Sequence, residues 1–215
     1  MVALQLVLAS NNAKKLAELR TLLDGLALTL VTQGSLGVAE AEEPHHSFIE
    51  NALAKARHAA RASGGAAIAD DSGLCVGALG GAPGVISAHF AGELPPLAGE
   101  LREARRQRQD AANNQALLDR LAGAVDRRGH FISTLVALRH ADDPEPLVAV
   151  GRWPGEILAA PRGEQGFGYD PLMFIPSLGA TVAELDADTK NRHSHRARAA
   201  ALLRQMLVDA WCLGG

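Results

Sequence analysis

The sequence is poor in cysteine and in aromatic residues, and it has no long apolar run. Only two cysteines occur in 215 residues, Cys75 and Cys212, and they lie too far apart for the paired spacing of a zinc site. Aromatic residues make up 4% of a chain with 47% hydrophobic residues, which predicts a core packed from aliphatic side chains. No segment reaches the length of a transmembrane helix, and the N-terminus lacks the features of a secretory signal. These absences predict a cytoplasmic protein without a membrane partner.

The charge balance also limits the kinds of partner. The formal net charge is −3 at pH 7, so the overall electrostatics do not favour nucleic acid as a partner. An arginine-rich stretch from about residue 99 to residue 122 is interleaved with acidic residues. We interpret it as the solvated face of a helix rather than a nucleic-acid patch. The chain length fits one domain over residues 1–215, with two lobes that share a core.

Helical and strand-like segments alternate along the chain, which predicts an α/β fold. Strands are expected at residues 4–9, 28–32 and 66–69. Helices are expected to start near Asn12, at Ser47 and near Ser194, and Ser47 with Glu50 has the spacing of a capping box. Residues 131–138 and 147–152 favour strands, and a turn with Asp142-Asp143-Pro144 separates them. This hairpin predicts a mixed sheet.

Two basic residues lie in the first turn of the first predicted helix, where the helix dipole disfavours positive charge. Asn11 or Asn12 is a good N-cap for the first helix, so Lys14 and Lys15 fall in its first turn. That end of a helix already carries about half a positive charge, and cations there are normally destabilising. An anion on the helix end would resolve the conflict, so the segment predicts a phosphate site. It is not a Walker loop, because the required glycine pattern is absent.

The last helix repeats this feature. Basic residues surround its expected start, namely Lys190, Arg192, His193, His195 and Arg196. A flexible, solvated basic turn is the alternative for one such segment. Two of them in one chain favour an anionic ligand.

Acidic residues supply the complement. Glu43 precedes the second helix, and Asp70 and Asp71 follow an apolar strand. Neighbouring side chains of a strand point to opposite faces, so the two aspartates are expected to have different roles. Paired carboxylates together with phosphate imply Mg²⁺. The alternative is a simple turn, because Asp-Ser-Gly is favourable turn chemistry.

Two further segments have both a functional and an ordinary interpretation. Lys55 shares a helix face with Asn51, and it is functional only if that face lines the site; otherwise it solubilises the helix. The segment from Gly166 to Pro171 places Phe167 and Tyr169 beside glycines, which suits stacking on a base. The alternative is a tight turn with buried aromatic side chains.

Taken in order, these segments strongly resemble one family. It comprises the non-canonical purine nucleoside triphosphate pyrophosphatases, the enzymes that hydrolyse inosine and xanthosine triphosphates. The resemblance runs from about residue 4 to about residue 210. It rests on the segments Ser10–Lys15, Ser47–Ala56, Ala69–Leu74, Gly80–Ala88, Gly166–Pro171 and Ser194–Arg196.

The resemblance implies an elongated α/β fold of two lobes around a long mixed sheet, with flanking helices and a central cleft. It also implies a homodimer that depends on Mg²⁺. Glu43 and Asp71 would hold the metal, with Glu42 as the alternative to Glu43. Asp71 would also accept a proton, and Lys55 and Asp70 would complete the catalytic centre. The substrate-binding residues would be Ser10, Asn11, Asn12, Ala13, Lys14, Lys15, Ser72, Phe167, Gly168, Tyr169, Asp170, Lys190, His195 and Arg196.

The reaction implied is hydrolysis of inosine, deoxyinosine or xanthosine triphosphate to the monophosphate and pyrophosphate. A pyrophosphatase for other modified or pyrimidine nucleotides is one alternative. A nucleotide-binding protein without catalysis is another, although binding alone needs no proton acceptor.

Overall fold

The computed structural model describes residues 3–214. The strands are β1 (Leu4–Leu8), β2 (Leu28–Thr32), β3 (Ala66–Val76), β4 (Arg128–Leu138), β5 (Leu147–Ile157), β6 (Met173–Ile175) and β7 (Ala180–Thr181). The helices are α1 (Ala13–Leu22), α2 (Phe48–Ser63), α3 (Arg102–Arg120), α4 (Ala187–His193) and α5 (His195–Trp211). Short 3₁₀ turns lie at Gln33–Leu36, Gly77–Leu79, Gly84–His89 and Val182–Glu184. Within the described residues, no helix is long and apolar enough to span a membrane.

The strands form one mixed sheet in the order β2-β1-β3-β4-β5-β6-β7. β1 pairs in parallel with β2 and β3, whereas β6 pairs antiparallel with both β5 and β7. This arrangement confirms the predicted α/β class and the mixed sheet. The predicted lobes and cleft stay predictions.

The predicted starts of three helices are confirmed. Asn12, Ser47 and Ser194 are the N-caps of α1, α2 and α5, and each side chain accepts a backbone N–H of the first turn. The hydroxyl of Ser47 also donates to the Glu50 carboxylate. These caps satisfy donors that the helices themselves leave unbonded.

The chain divides into two compact units. Unit 1 comprises the described residues up to Ser72, Ser133–Arg152 and those from Asn191 onward. Unit 2 comprises Gly73–Ile132 and Trp153–Lys190. β3, β4 and β5 therefore each contribute residues to both units.

The core of unit 1 covers both faces of its strands. Leu6 and Leu8 of β1 pack in a cluster with residues of α1 and α5, while Val7 and Ala9 pack in a second cluster with the alanines of α2. This alternation is the period of a strand, so helices lie on both faces of the sheet here. The buried members of both clusters are aliphatic, as predicted. The core of unit 2 differs, because it also buries Phe90, Phe131, Trp153 and Tyr169.

Three strands are longer than predicted. β4 was expected to start at Phe131, but it begins at Arg128. β3 was expected to end at Ala69, but it continues through Asp70 and Asp71 to Val76. The Asp-Ser-Gly turn is therefore wrong, because Asp70 and Asp71 each pair with a cation inside the strand. β5 was expected to stop before Trp153, but it runs to Ile157 and pairs there with β6.

The arginine-rich start of α3 is only partly a solvated face. Arg105 contacts the Glu93 carboxylate at 3.1 Å and donates to the Leu94 carbonyl at 2.9 Å. Arg108 pairs with Glu100 at 2.9 Å and donates to the Pro95 carbonyl at 2.8 Å. These arginines bind the irregular segment that precedes the helix, so the fully solvated interpretation is wrong for them.

Candidate functional site

A buried ionic cluster surrounds Asp70 in unit 1. Arg196 Nε lies 2.9 Å and Lys15 Nζ lies 3.2 Å from Asp70 Oδ2, and the Ser133 hydroxyl donates to Oδ1 at 2.8 Å. Lys15 belongs to the first turn of α1 and Arg196 to the first turn of α5. The two basic helix starts therefore meet, and a protein carboxylate lies between their charges. Burial alone would raise the pKa of Asp70, but Arg196 and Lys15 hold it far below its ordinary value.

Arg196 is fixed by further contacts. Its guanidinium also pairs with Glu18 of α1 and lies 3.2 Å from the Ser72 hydroxyl. The side chain is 2% exposed. Burial opposes its charge, but Asp70 and Glu18 raise the pKa of Arg196 above the ordinary value. Two cations and two carboxylates thus balance inside this cluster.

Sequence reasoning missed Glu18 and Ser133. Glu18 resembled an ordinary acidic residue on a helix surface, and its partner lies 178 residues away. Ser133 carried a usable signal, because it is a polar residue inside an apolar strand and is fully buried. Such a residue requires a hydrogen-bond partner.

A second ionic cluster of unit 1 lies around Lys55 of α2. Its ammonium is 2.8 Å from Asp71 Oδ1 and 3.0 Å from Glu43 Oε2, and it also donates to the Asp70 carbonyl at 3.3 Å. Lys55 is buried, so the interpretation as a solubilising residue is wrong. Burial alone would lower the pKa of Lys55, but Asp71 and Glu43 outweigh it and raise that pKa.

Asp71 has an environment opposite to that of Asp70. Burial raises the pKa of Asp71 to about 6, although Lys55 opposes the shift. Its Oδ2 atom is buried and has no hydrogen-bond partner among residues 3–214. A buried carboxylate oxygen without a partner is unusual and calls for a ligand or a reaction.

The residues present fit a magnesium ion. The unpartnered Asp71 Oδ2 and the half-exposed Glu43 carboxylate supply the hard oxygen ligands that Mg²⁺ prefers. In the described part of the chain, no group of three or more His, Cys, Asp or Glu side chains is arranged around a metal position. Mg²⁺ usually takes one or two carboxylates together with phosphate oxygens and water, so two carboxylates are enough.

The start of α1 is organised by Asn12. Its side chain accepts the N–H groups of Lys14 at 3.0 Å and Lys15 at 3.3 Å, while its own N–H donates to the Ser10 hydroxyl at 3.1 Å. The N–H groups of Lys14 and Lys15 are therefore bonded to Asn12. Ala13 is the first helical residue, and Lys14 is exposed.

Asn11 has a different role from Asn12. Its amide donates to Glu40 at 3.0 Å and accepts the Gly34 N–H at 3.0 Å. Asn11 therefore joins the start of α1 to the segment after β2, and of the two candidate caps only Asn12 caps the helix.

The basic residues near α5 separate into two groups. His195 and Arg196 are buried in the first turn of α5. Lys190 lies in α4, belongs to unit 2 and contacts Asp170 at 2.8 Å. The observed partner of Lys190 is thus Asp170, and its place beside the start of α5 stays a prediction.

The loop Phe167–Asp170 in unit 2 is held by its own aspartate. Asp170 Oδ2 accepts the Phe167 N–H at 3.0 Å as well as the Lys190 ammonium. Lys190 Nζ lies 4.7 Å from the centre of the Phe167 ring. The half-buried Phe167 therefore lies beside Lys190, whose ammonium is held by Asp170.

The two aromatic residues of this loop differ. Tyr169 is buried in the core of unit 2, and its hydroxyl donates to the Ser87 carbonyl at 2.8 Å. Burial raises the pKa of Tyr169, which keeps the hydroxyl protonated as a donor. Phe167 is only half-buried, so the prediction of two stacking aromatics is wrong for Tyr169 alone.

Known proteins resemble this chain over nearly its whole length. The model of the Ham1 family matches residues 6–206. A dITP/XTP pyrophosphatase of Methylibium petroleiphilum is 67% identical over 208 residues, which are 97% of this chain and 99% of that protein. The dITP/XTP pyrophosphatase of Leptothrix cholodnii is 67% identical over 211 residues, covering 98% of this chain and 100% of that protein.

Solved structures give the same result. The structure of a HAM1 protein from Coxiella burnetii has a TM-score of 0.85 and 42% identity, and the match covers 96% of this chain and 100% of that chain. The Ham1 protein of Staphylococcus aureus has a TM-score of 0.79 and 35% identity, covering 94% of this chain and 97% of that chain. Sequence and fold therefore agree over nearly the whole chain, which belongs to the Ham1 family.

Proposed function

We propose that this protein hydrolyses non-canonical purine nucleoside triphosphates, namely inosine, deoxyinosine and xanthosine triphosphates, to the monophosphate and pyrophosphate. In the cell this reaction would cleanse the nucleotide pool. Close relatives named dITP/XTP pyrophosphatases support the substrate class. The observation that carries the proposal is the buried carboxylate oxygen of Asp71, which has no hydrogen-bond partner within residues 3–214 and lies on a carboxyl group fixed by Lys55.

The triphosphate is assigned to the start of α1. Ser10, Asn11, Asn12, Ala13, Lys14 and Lys15 form that start. Burial lowers the pKa of Lys15, and a phosphate oxygen nearby would favour its charged form. Lys14 is exposed at the same helix end. The two lysines would stabilise the charge that develops on the leaving pyrophosphate.

Asp71 would accept the proton of the attacking water. Its pKa of about 6 lies close to neutrality, where a general base is most effective. Lys55 holds Oδ1, and Oδ2 has no protein partner within residues 3–214. Asp70 would act beside it by holding Lys15 and Arg196 in place.

Glu43 and Asp71 would hold Mg²⁺. When bound, this ion neutralises phosphate charge and positions the phosphates for attack. The ion pair between Lys55 and Glu43 supports the choice of Glu43 over Glu42.

The base is assigned to Phe167, Gly168, Tyr169, Asp170 and Lys190, with Ser72, His195 and Arg196 as further substrate contacts. The oxygen at position six of inosine or xanthosine accepts a hydrogen bond, whereas the amino group of adenine does not. Lys190 is a suitable donor, since the N–H groups of Phe167 and Gly168 are already bonded to carboxylates. A donor left without an acceptor costs about 1–3 kcal/mol, which disfavours adenine.

We further infer a cytoplasmic homodimer that binds neither nucleic acid nor membranes. The family resemblance supports the dimer, and the net charge of −3 supports the absence of polyanionic partners.

The test is a panel of triphosphates assayed with and without Mg²⁺, in which pyrophosphate and orthophosphate are measured separately. We expect pyrophosphate from inosine triphosphate, far less from adenosine or thymidine triphosphate, and a requirement for Mg²⁺. Orthophosphate as the first product would contradict the proposal, because it indicates attack at the terminal phosphorus.

The Asp71→Asn variant tests the proton acceptor. We expect a loss of at least about 100-fold in kcat in a protein that still folds, because general bases contribute about 10²–10⁴-fold. Asp142→Asn, an exposed aspartate of unit 1, is the matched control and should retain full activity. Full turnover by Asp71→Asn would remove Asp71 from this role.

A further inference from the structure

One face of α3 holds the backbone of the Phe167–Asp170 loop. Arg106, Asp110 and Asn114 are spaced four residues apart on this helix and therefore share a face. Asp110 Oδ2 accepts the Gly168 N–H at 2.8 Å, and Asn114 Nδ2 donates to the Gly168 carbonyl at 2.8 Å. Both backbone polar groups of one loop residue are thus bonded to side chains of the same helix.

The same face also reaches the aromatic ring of the loop. The Arg106 guanidinium carbon lies 5.0 Å from the centre of the Phe167 ring, which is within cation–π distance. Lys190 lies 4.7 Å from that centre. The ring therefore has two cations beside it, one from α3 and one from α4.

The backbone at Gly168 is held by the hydrogen bonds from Asp110 and Asn114. Its φ is +62°, a left-handed conformation that glycine adopts without strain. The loop lies outside helices and strands, so no ladder of backbone hydrogen bonds fixes it. The Asp110 and Asn114 bonds hold the peptide groups on both sides of Gly168, and the first of these groups joins Gly168 to Phe167.

We propose that Asp110, Asn114 and Arg106 are positioning residues for purine binding, which act by fixing the ring face of Phe167. This inference rests on the proposed function and goes beyond it, because it gives the arginine-rich helix a role in recognition of the base. The reason is geometric: stacking on an aromatic ring contributes only if the ring is already held in place. The triphosphate, which is assigned to unit 1, should not depend on α3.

The experiment compares two ligands in the full-length protein. The KM of inosine triphosphate reports on base and phosphate together, and the inhibition constant of inorganic tripolyphosphate reports on phosphate alone. For Asp110→Ala we expect the KM to rise by about tenfold, with kcat within about twofold and the inhibition constant unchanged, because a hydrogen bond to a charged group is lost. A role in folding alone would not separate the two ligands in this way.

Conservative variants sharpen the test. Asp110→Asn keeps an oxygen that accepts the Gly168 N–H, so its KM should lie within about threefold of the parent value. Asn114→Leu keeps the volume but loses the donor, and its KM should rise by about threefold or more. Gln115→Ala, an exposed position on the same helix, is the control and should match the parent protein.

The outcomes are distinct. An unchanged KM in both Asp110→Ala and Asn114→Leu overturns the inference, as does an equal weakening of tripolyphosphate inhibition. If Asp110→Ala does not fold, the comparison of Asn114→Leu with Gln115→Ala decides alone. If the parent protein releases no pyrophosphate from inosine triphosphate, the proposed function itself has failed, which the parent assay shows before any variant is made.

Discussion

Asp70 and Asp71 are neighbours in the chain but have opposite protonation chemistry. Both carboxyl groups are buried, and burial disfavours the charge of each. Two cations and a serine hydroxyl compensate for Asp70, whereas Lys55 only partly compensates for Asp71. Two titratable groups with pKa values driven apart are typical of sites that separate a structural charge from a proton acceptor.

At the residue scale, we expect Glu18 to stabilise the fold by pairing with the buried guanidinium of Arg196. Glu18→Ala removes one of the two carboxylates that pair with the buried guanidinium, so the free energy of unfolding should fall by about 2 kcal/mol. Chemical denaturation measures this loss. Glu145→Ala, whose carboxylate is 77% exposed, should change stability by less than about 0.5 kcal/mol. Equal stability of the two variants would contradict the role given to Glu18.

At the scale of elements, the hairpin between β4 and β5 depends on Asp143. Its fully buried carboxylate accepts the Arg139 backbone N–H at 2.9 Å, the Arg139 guanidinium at 2.7 Å and the Glu145 N–H at 3.0 Å. These bonds, above all those from Arg139, hold the pKa of Asp143 below its ordinary value. A depressed carboxyl pKa stabilises the fold above the pKa of the unfolded chain, about 3.9, and this stabilisation is lost as the pH falls below that value.

Asp143→Asn should therefore destabilise the protein in a pH-dependent way. We expect a loss of about 2 kcal/mol that is constant above about pH 5, because the charged acceptor is replaced by a neutral one. The difference from the parent protein should shrink below about pH 4. Urea unfolding at pH 3.5 and pH 7 measures both values, and a difference that does not depend on pH would show that Asp143 acts only through its shape.

The contact between β5 and α5 requires a glycine. A Cβ atom at Gly151 would lie 2.0 Å from the His195 carbonyl oxygen and 2.5 Å from the Ala199 nitrogen. Gly151→Ala should therefore push the start of α5 away from β5, with a loss of about 2–3 kcal/mol and weaker tripolyphosphate binding through Arg196. Gly65→Ala, which meets no atom within 4 Å, is the control. A stable Gly151→Ala protein with normal binding would refute the tight contact.

The starts of three helices could be predicted from local sequence signals, whereas the extension of β3 depends on contacts between distant residues. Asn12, Ser47 and Ser194 were identifiable as N-caps because capping involves neighbouring residues only. The extension of β3 through Asp70 was not predictable, since its partner Arg196 lies 126 residues away. Helix α4 escaped detection because its seven residues show no apolar period and bury no side chain.

The loop around Phe167 shows the same division at the site. Its glycines and aromatic residues indicated a base site. The difference in burial between Phe167 and Tyr169 depends on the core of unit 2, which includes only Tyr169. The face of α3 that carries Asp110 and Asn114 was hidden for a related reason. Its polar residues look like a solvated surface, and only the fold brings the loop to them.

For the whole molecule, the net charge does not reveal that cations and carboxylates are paired in ionic clusters. The chain carries −3 overall, yet unit 1 buries cations and carboxylates in two compensated clusters around Asp70 and Lys55. Each cluster uses side chains from segments that are distant in the sequence. The proposed phosphate site therefore does not depend on long-range steering by the surface field, because its cations lie at fixed positions.

The two units should respond differently to the parts of a substrate. Inorganic tripolyphosphate should slow amide hydrogen exchange at the starts of α1 and α5 in unit 1, because these helix ends carry Lys15 and Arg196. It should leave the 163–171 segment of unit 2 unchanged. An inosine triphosphate analogue with an imido group between the α and β phosphorus atoms should slow exchange in both units, since it adds a purine for Phe167. Mass spectrometry of peptides from the intact protein measures this pattern. Equal protection of the loop by tripolyphosphate would show that phosphate rather than the base is bound there, and would contradict the assignment of purine recognition to unit 2.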